Sequence, residues 1–568
     1  MTDREAEKLY KGKNNNDIED KEKLWTEIEK AIDTNREEQK IIKAPVKRKS
    51  FYKRLIPIAA CIAIVGVAGN AVLRSDLIKT KGNKTIISEN YSDKLKNEAY
   101  AVNEDNTETN IMPSGDFDGN IKENSGTLKN NYMYTSEQPL STFSIDVDTA
   151  SYTYTRKMLR NYGVDYLDSG CIRTEEFINY FNYDYENPTG DAPFSINTEY
   201  STCPWNDNKR LVMIGLQGKK VETKSEKNLV FLVDVSGSMS SKDKLPLVCQ
   251  SILMLSENLA ENDTVSIVTY ASNERVVLDG AKGNDYKSIK AAVDELCASG
   301  NTNGEAGIKK AYELAEKHFI KGGNNRIIIA TDGDLNVGIS STEELIKLVE
   351  QKRESGVYLS VLGFGSGNYQ DAKLEAIADN GNGNYSYIDS VDEAKKVLVD
   401  EIDSTLITIA KDVKIQIEFN SEYVKGYRLI GYENRVLANE DFDNDEKDAG
   451  EIGAGHTVTA IYEIDLTDNA DSKDSVLNIA VRYKDPDKTE SKLIEKNISA
   501  KDYNEKMSKN LSFASAVAEF AAILKNDTDF GKISYFNVLQ LAENSDYESD
   551  HAKKDFINLV KELNKNKY

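Results

Sequence analysis

The sequence predicts an α/β fold, a doubly wound and mostly parallel sheet, with a flanking β-rich or α+β region and a single transmembrane helix before both. Continuous apolar strands alternate with amphipathic helices over residues 228–406, which is typical of a parallel sheet covered on both faces. After residue 410 strands follow one another with little helix between them, and three helices finish the chain. A long uncharged apolar run near the N-terminus predicts the membrane helix.

Length and charge limit the classes of function. The chain has 568 residues, enough for two or three domains and their linkers. Its net charge of -23 would be repelled by nucleic acid and by an anionic lipid surface, so neither is expected as the main partner. A cation is the natural small partner of such an acidic chain.

The cysteines predict neither a disulfide framework nor a zinc site. They number five, an odd count, and they are widely spaced with no C-x-x-C pair. Packing in the core is the expected role, and a bridge between Cys171 and Cys203 stays an open alternative.

The membrane helix is predicted at 55–73, where 19 residues carry no charge and could cross a hydrocarbon layer of about 30 Å. More Lys and Arg precede the run than follow it, which places the N-terminus in the cytoplasm and the bulk of the chain outside. An uncleaved signal-anchor explains the run best, because it continues well past Cys61. A cleaved signal peptide, a lipoprotein modified at Cys61 and a buried core helix are the alternatives.

Composition divides the chain into regions with distinct predicted roles. The stretch before the first strands is rich in Asn, Asp, Glu, Lys, Ser and Gly and cannot bury enough apolar surface to order itself. The predicted regions are a charged cytoplasmic tail (1–54), the signal-anchor helix (55–73), a flexible stalk (75–135), an N-terminal flanking region (137–222), the α/β domain (228–406), and a β-rich C-terminal region ending in helices (410–568).

Oxygen-bearing side chains follow three of the predicted strands or loops of the α/β domain. The strand NLVFLVDV ends in Asp234, Ser236 and Ser238, a later loop holds Thr302, and RIIIATDGD delivers Asp332. Ligands of an open parallel sheet collect at the carboxyl ends of its strands, so these side chains should meet there. Two carboxylates and three hydroxyls, without His or Cys, suit a small hard cation such as Mg²⁺. Ser, Gly and Asp are also ordinary turn residues, which is the alternative reading of each piece taken alone.

D-x-S-x-S after a buried strand, a Thr one loop later and T-D-G after another buried strand resemble the metal-ion-dependent adhesion site of von Willebrand factor A domains. The resemblance implies that Ser236 and Ser238 ligate the metal directly, that Thr302 does so directly or through water, and that Asp234 and Asp332 act mostly through water. It also implies that Mg²⁺, or another divalent cation such as Mn²⁺ or Ca²⁺, keeps one position open for a carboxylate of a protein partner.

The flanks resemble a narrower group, the bacterial A-domain proteins of the YfbK type. TFSIDVDTASY, IRTEEFINYFNYDY and PWN are similar to its N-terminal region, and DVKIQIEFN, YRLIGYENR and EDFDNDEKDAGEIGAGHTVTAIYEI to its C-terminal region. The resemblance covers about residues 137–565 and implies an architecture more than a purpose.

Three further patterns are not expected to be functional sites. The segment from Asp441 to Asp445 begins like a calcium loop, but the sixth position is Glu446 and the twelfth is Ile452, which excludes an EF-hand. His456 is expected to be a hydrogen-bonded structural residue, since no nucleophile motif accompanies it. The run GFGSG at 363–367 fits neither a hydrolase elbow nor a nucleotide loop.

The sequence thus predicts a membrane-anchored extracytoplasmic protein that binds a divalent cation and uses it for protein interaction or adhesion. We expect it not to be an enzyme, because no general base accompanies the predicted metal ligands. One alternative is a surface sensor in which the last helix of the α/β domain, Val391 to Thr405, shifts on ligand binding and signals through the cytoplasmic tail. A cell-surface hydrolase is the other.

Overall fold

The computed structural model describes residues 129–566, apart from 222–224, 302–303, 334–341, 366–370, 403–405, 469–474 and 487. The predicted cytoplasmic tail, the predicted membrane span at 55–73 and the predicted stalk up to residue 128 lie outside the described residues. Within the described part of the chain, no helix combines the length and the apolar character that a membrane crossing requires.

Strands and helices alternate in the middle of the described chain and strands dominate on either side. In chain order the strands are β1 (Met133–Tyr134), β2 (Leu140–Ser144), β3 (Phe194–Thr202), β4 (Lys209–Gly218), β5 (Lys227–Asp234), β6 (Thr264–Tyr270), β7 (Glu274–Lys282), β8 (Asn324–Thr331), β9 (Val357–Phe364), β10 (Tyr385–Ile388), β11 (Thr408–Phe419), β12 (Val424–Ile430), β13 (Gly450–Gly453), β14 (Thr457–Leu466), β15 (Ser475–Lys484), β16 (Ser491–Ser499) and β17 (Tyr503–Asn504). The α-helices are α1 (Ala150–Asn161), α2 (Thr174–Asn179), α3 (Leu245–Ser256), α4 (Tyr286–Asp294), α5 (Gly304–Lys317), α6 (Thr342–Glu354), α7 (Asp371–Asn380), α8 (Val391–Lys395), α9 (Lys509–Lys525), α10 (Tyr535–Glu543) and α11 (His551–Asn566).

The α/β domain is built on a six-stranded sheet in the order β10-β9-β8-β5-β6-β7. Its neighbouring strands run parallel except for β6 and β7, which are antiparallel, so the predicted mostly parallel sheet is confirmed. Every residue of the central strand β5 is buried. Phe231 packs with α3 and α4 on one face, and Val230 packs with α5, α6 and α7 on the other, because successive side chains of a strand point to opposite faces.

The two flanking regions fold together into one β-sandwich. One sheet, of order β1-β12-β14-β4-β3-β17, contains three strands from before the α/β domain and three from after it. In the second sheet β2 pairs with β11, which also contacts β13 and β15. Ile214 and Tyr462 of the first sheet share an apolar core with Ile417 of the second, as in packed two-sheet folds. The α/β domain is therefore inserted between two halves of one flanking domain.

The end of the predicted stalk belongs to this flanking domain. β1 pairs antiparallel with β12, and the Asn130 side-chain amide donates a hydrogen bond of 2.6 Å to the Gly431 carbonyl. Residues 129–135 are thus held by the sandwich, and the stalk ends before its predicted limit. A two-residue strand is too short to give a periodic signal in the sequence.

A helical layer covers the outer face of the first sheet. Phe513 and Phe520 of α9 lie against Phe556 of α11, with ring centroids 5.6 and 5.3 Å apart, and the same core includes Met213 of β4. Every residue of α9 from 511 to 522 is buried, as expected for a helix that is apolar on all sides. The helices predicted near 507–525, 535–542 and 553–563 are confirmed.

Glu519 is the one charged residue in the buried run 511–522 of α9. Its Oε1 accepts a hydrogen bond of 2.8 Å from the Ser534 backbone N–H, while Oε2 is buried without a partner among the described residues. Burial raises the pKa of Glu519 to about 7, although the Ser534 hydrogen bond opposes the shift. Ionisation therefore costs the folded protein more than the unfolded chain, and the folded state holds the proton more tightly.

Glu519→Gln should remove a loss of stability that the wild type undergoes as pH rises. The stabilising effect of the bound proton is complete below the unfolded-state pKa of about 4.5 and disappears as pH rises through about 7. We expect the wild type to lose about 2 to 3 kcal/mol relative to the variant between pH 5 and pH 8, measured by urea unfolding. Glu543→Gln, at a half-exposed glutamate of α10, is the control. The same loss in the wild type and in Glu519→Gln would contradict the assignment.

Three other sequence expectations have clear outcomes. Cys171 and Cys203 form no disulfide with each other. The expected hydrogen bond of the His456 side chain is not found at Nδ1, which is buried without a partner in the described structure, and burial lowers the pKa of this imidazole to about 4. Asp443 and Asp445, of the acidic loop, pair with Arg482 at 3.0 and 3.1 Å.

Candidate metal centre at the edge of the α/β sheet

Asp234 ends β5 at the carboxyl edge of the α/β sheet. Its side chain is fully buried. Oδ1 accepts a hydrogen bond of 2.8 Å from the Ser236 backbone N–H, and Oδ2 accepts one of 3.4 Å from the Thr331 hydroxyl. Burial raises the pKa of Asp234 to about 6, against the lowering effect of the Ser236 hydrogen bonds. The loop thus holds a carboxylate in place in an environment that disfavours its charge.

The two serines after Asp234 lie side by side. Their hydroxyl oxygens are 3.0 Å apart, with Ser236 buried and Ser238 exposed. Gly237 N–H donates to the Gly300 carbonyl at 3.0 Å, so this loop is tied to the loop that leads to residue 302. Thr302 itself lies outside the described residues, and its predicted role stays a prediction.

Asp332 comes from the neighbouring strand β8 and lies at the same edge. Its Oδ2 accepts a hydrogen bond of 2.7 Å from the Lys244 ammonium. Its Oδ1 is buried and has no partner among the described residues. A buried carboxylate oxygen without a donor is costly unless something positive completes it. We name the group of Asp234, Ser236, Ser238 and Asp332 the oxygen-rich edge.

The residues of the oxygen-rich edge fit a hard divalent cation. The donor set consists of carboxylate and hydroxyl oxygens, the ligands that Mg²⁺ and Ca²⁺ prefer. The orphaned Oδ1 of Asp332 is an acceptor that a cation would satisfy. A cation bound here would be held by Ser236 and Ser238 with the two aspartates around it, and it would supply the positive charge of a Lewis acid.

Helix α1 of the flanking domain runs along β10 toward the oxygen-rich edge. At its start, Asp148 accepts a hydrogen bond of 2.7 Å from the Tyr385 backbone N–H. Near its end, the Lys157 ammonium donates to Asp243 at 2.7 Å, one residue before Lys244. The flanking domain therefore contacts the loop that carries Lys244, a link that pattern reading of the sequence did not reveal.

The same helix also holds the last helix of the α/β domain. Arg156 is buried, donates to Asp389 at 2.7 Å and to Glu393 at 2.9 Å, and shares Glu393 with the Tyr180 hydroxyl. The described part of the helix predicted from 391 to 405 consists of α8 and a π-helical turn, Lys396–Asp400, and residues 403–405 lie outside the described residues. Lys396 donates to the Tyr180 carbonyl at 2.7 Å, so a tertiary contact lies where the helix departs from α geometry.

A second buried charge cluster joins the flanking domain to α7. Arg435 bonds Asp379 at 2.6 Å, Glu375 at 3.2 Å and Asp146 at 3.2 Å. Oxygens of Asp146, Glu176 and Glu375 lie within 4.8 Å of one another, and Arg173 pairs with both glutamates. Two arginines thus lie among these carboxylates, which makes the cluster an ion-pair network between the two domains.

Comparison with known proteins assigns these parts to families. Residues 228–403 match the model of the von Willebrand factor type A domain, and residues 120–213 match a model described as von Willebrand factor. Residues 404–565 match "Uncharacterized protein YfbK, C-terminal". YfbK of Escherichia coli (strain K12) is 40% identical over 456 residues, which cover 75% of this chain and 78% of the relative. The chain belongs to the YfbK family.

Other similar proteins match a smaller part of this chain. The protein sll0103 of Synechocystis sp. is 31% identical over 170 residues, which cover 29% of this chain and 39% of that protein. A solved structure, "von Willebrand factor type A from Catenulispora acidiphila", has a TM-score of 0.40 and 15% identity and covers 67% of this chain and 91% of that chain. Family models divide this chain into three matched segments, whereas its structure joins the two outer ones in shared sheets.

Proposed function

We propose that this YfbK-family protein binds a divalent cation at the oxygen-rich edge and uses it to hold a carboxylate of a protein ligand. The observation that carries the proposal is the convergence of Asp234, Ser236, Ser238 and Asp332 at one edge of the sheet, with a buried oxygen of Asp332 left without a donor. Mg²⁺ is the expected ion, and Mn²⁺ or Ca²⁺ could replace it. Thr302 is expected to complete the site.

Exposed aromatic side chains after α1 favour a protein as the ligand. Tyr162 and Tyr166 follow α1, the helix whose Lys157 contacts Asp243, and they are 50% and 72% exposed. Val164 between them is 41% exposed. Tyrosine is enriched in protein interfaces because one side chain offers apolar contact and a hydrogen bond.

Binding without catalysis is the role that we propose for the site. Metal-assisted hydrolysis needs a general base that holds the attacking water. In the described structure the charged side chain that contacts Asp332 is Lys244, a donor, and His318 pairs with Asp279 on another part of the domain at 2.7 Å. Turnover of a peptide or phosphate ester that EDTA abolishes would favour the hydrolase alternative.

We also propose that the site acts outside the cell, on a single-pass protein whose N-terminus is cytoplasmic. The support is the uncharged run at 55–73 with its basic N-terminal flank. A cysteine-reactive probe that cannot cross the membrane should label the exposed Cys297 in intact cells. Labelling only after lysis would contradict this topology.

A matched pair of serine variants tests the proposed function. Ser236→Ala removes a proposed metal ligand, and Ser240→Ala alters an exposed serine four residues later. In cells that make the full chain, cross-linking should capture protein ligands in Mg²⁺ with the wild type and with Ser240→Ala, but neither with Ser236→Ala nor in EDTA. Capture that is equal for all three proteins and insensitive to EDTA would refute the proposal.

Hydrogen exchange on the purified wild type and on purified Ser236→Ala distinguishes a binding role from a sensing role. The linkage of Arg156 to Glu393 favours a coupling between α8 and the flanking domain. If the protein is a sensor, amide protection in residues 391–402 should change when Mg²⁺ is added to the wild type and stay constant in Ser236→Ala. Unchanged protection in both would leave a binding role alone.

A further inference from the structure

Two hydrogen bonds hold the Lys244 side chain at the oxygen-rich edge. Its ammonium donates to Asp332 Oδ2 at 2.7 Å and to the Ser238 carbonyl at 3.0 Å, so it joins two of the loops that carry proposed metal ligands. Its side chain is only 12% exposed. A lysine held by two acceptors in a largely buried position differs from the freely solvated lysines of a helix surface.

A glycine provides the space for this lysine. A Cβ atom at Gly365 would lie 2.3 Å from Lys244 Cε and 2.8 Å from its Cγ, so a larger residue there would displace the lysine stem. Gly365 has a φ of +78°, in the region that side chains disfavour. Gly365, from the run that fits no nucleotide or hydrolase motif, thus has a steric role beside the lysine.

We propose that Lys244 is an internal counter-cation of the oxygen-rich edge, which neutralises Asp332 before a metal binds and lowers the affinity of the site for divalent cations. An incoming cation must either displace the ammonium or accept its repulsion at close range, and both reduce the gain from Asp234 and Asp332. The inference rests on the proposed metal site and extends it.

The same charge bears on the ligand. With two ionised aspartates, a divalent metal and the lysine in place, the formal charges leave the occupied site positive by about one unit. A positive site attracts an anionic group and repels a cationic one. Lys244 therefore favours a carboxylate ligand while it limits how tightly the metal is held.

The test is a calorimetric titration of the full chain with Mg²⁺ alone and, separately, with Mn²⁺ alone. Lys244→Met removes the charge and keeps an unbranched stem against Gly365, and Lys244→Gln is a second uncharged variant in case the first does not fold. Lys244→Arg keeps the charge, and Lys242→Met changes an exposed lysine two residues away. We expect about tenfold tighter binding in the uncharged variants, because like charges at this range weaken binding, and affinities within about twofold of wild type in the other two.

Two outcomes would overturn the inference. If the uncharged variants bind Mg²⁺ with unchanged or weaker affinity while the wild type binds and Ser236→Ala does not, the counter-cation inference is overturned and the metal site stands. If neither the wild type nor any variant binds either ion, the inference and the proposed function are both overturned.

Discussion

Replacing Arg435 by Met should lower the free energy of unfolding by about 3 to 5 kcal/mol, because it removes one partner of a buried ion-pair network. Arg435 is 14% exposed and pairs with Asp146 and Asp379, among others. Without it several buried carboxylates would face one another with Arg173 as the remaining cation of the cluster. Urea unfolding near neutral pH measures the loss.

A surface arginine provides the control for this substitution. Arg482 pairs with Asp443 and Asp445, which are 83% and 44% exposed, and exposed pairs contribute about 1 kcal/mol or less. Arg482→Met should therefore have a small effect. If Arg435→Met were equally mild, the buried network would not be what holds α7 against the flanking domain.

The second large effect is expected at Asp234. Asp234→Asn should weaken Mg²⁺ binding by about 100-fold, the upper end of the range for groups that support a metal through its outer shell. The variant should nevertheless be folded and at least as stable as the wild type without metal, because burial already raises the pKa of Asp234 to about 6 and disfavours its charge. A residue kept at a cost to stability is typical of a functional site.

Thermal melting with and without Mg²⁺ distinguishes the effect of Asp234 on metal binding from its effect on the stability of the metal-free protein. The wild type should gain about 2.7 kcal/mol when the metal is at 100 times its dissociation constant, and Asp234→Asn should gain almost nothing at the same concentration. Asp243→Asn, at a carboxylate that pairs with Lys157 outside the proposed ligand set, should retain the gain. An Asp234→Asn protein that melts far below the wild type without metal would instead indicate a structural role.

The α/β sheet could be predicted from sequence because each of its strands is identified by its own apolar residues. β5 and β8 contain the apolar runs LVFLV and IIIA and are buried along their whole length, and such runs identify strands covered on both faces. The position of Asp234, Ser236, Ser238 and Asp332 at one edge then followed from the rule that parallel strands end together. The described members of the predicted ligand set do meet there.

The interactions that escaped prediction depend on residues far apart in the sequence. Lys244 precedes a helix and reads as a surface residue, and only the fold brings it to Asp332. Arg435 meets Asp146 across 289 positions, a pairing with no local periodicity. The shared sandwich was missed for the same reason, since each strand is recognisable alone but its partners are not. The motifs IRTEEF and YENR contain Arg173 and Arg435 of the buried ion-pair network. Neither motif indicates which residues the two arginines contact.

The insertion of the α/β domain within the flanking domain has a consequence for synthesis. β4 pairs with β14, and Met213 is matched with Ile461, so the ribosome must add roughly 250 residues between the two halves of that ladder, which takes about 10 to 50 seconds at ordinary elongation rates. During this interval the apolar faces of β3 and β4 have no partner, while the α/β domain can complete its own sheet. The nascent chain is then exposed to aggregation and to chaperone capture at its N-terminal half, and the sandwich closes only after the last strands emerge.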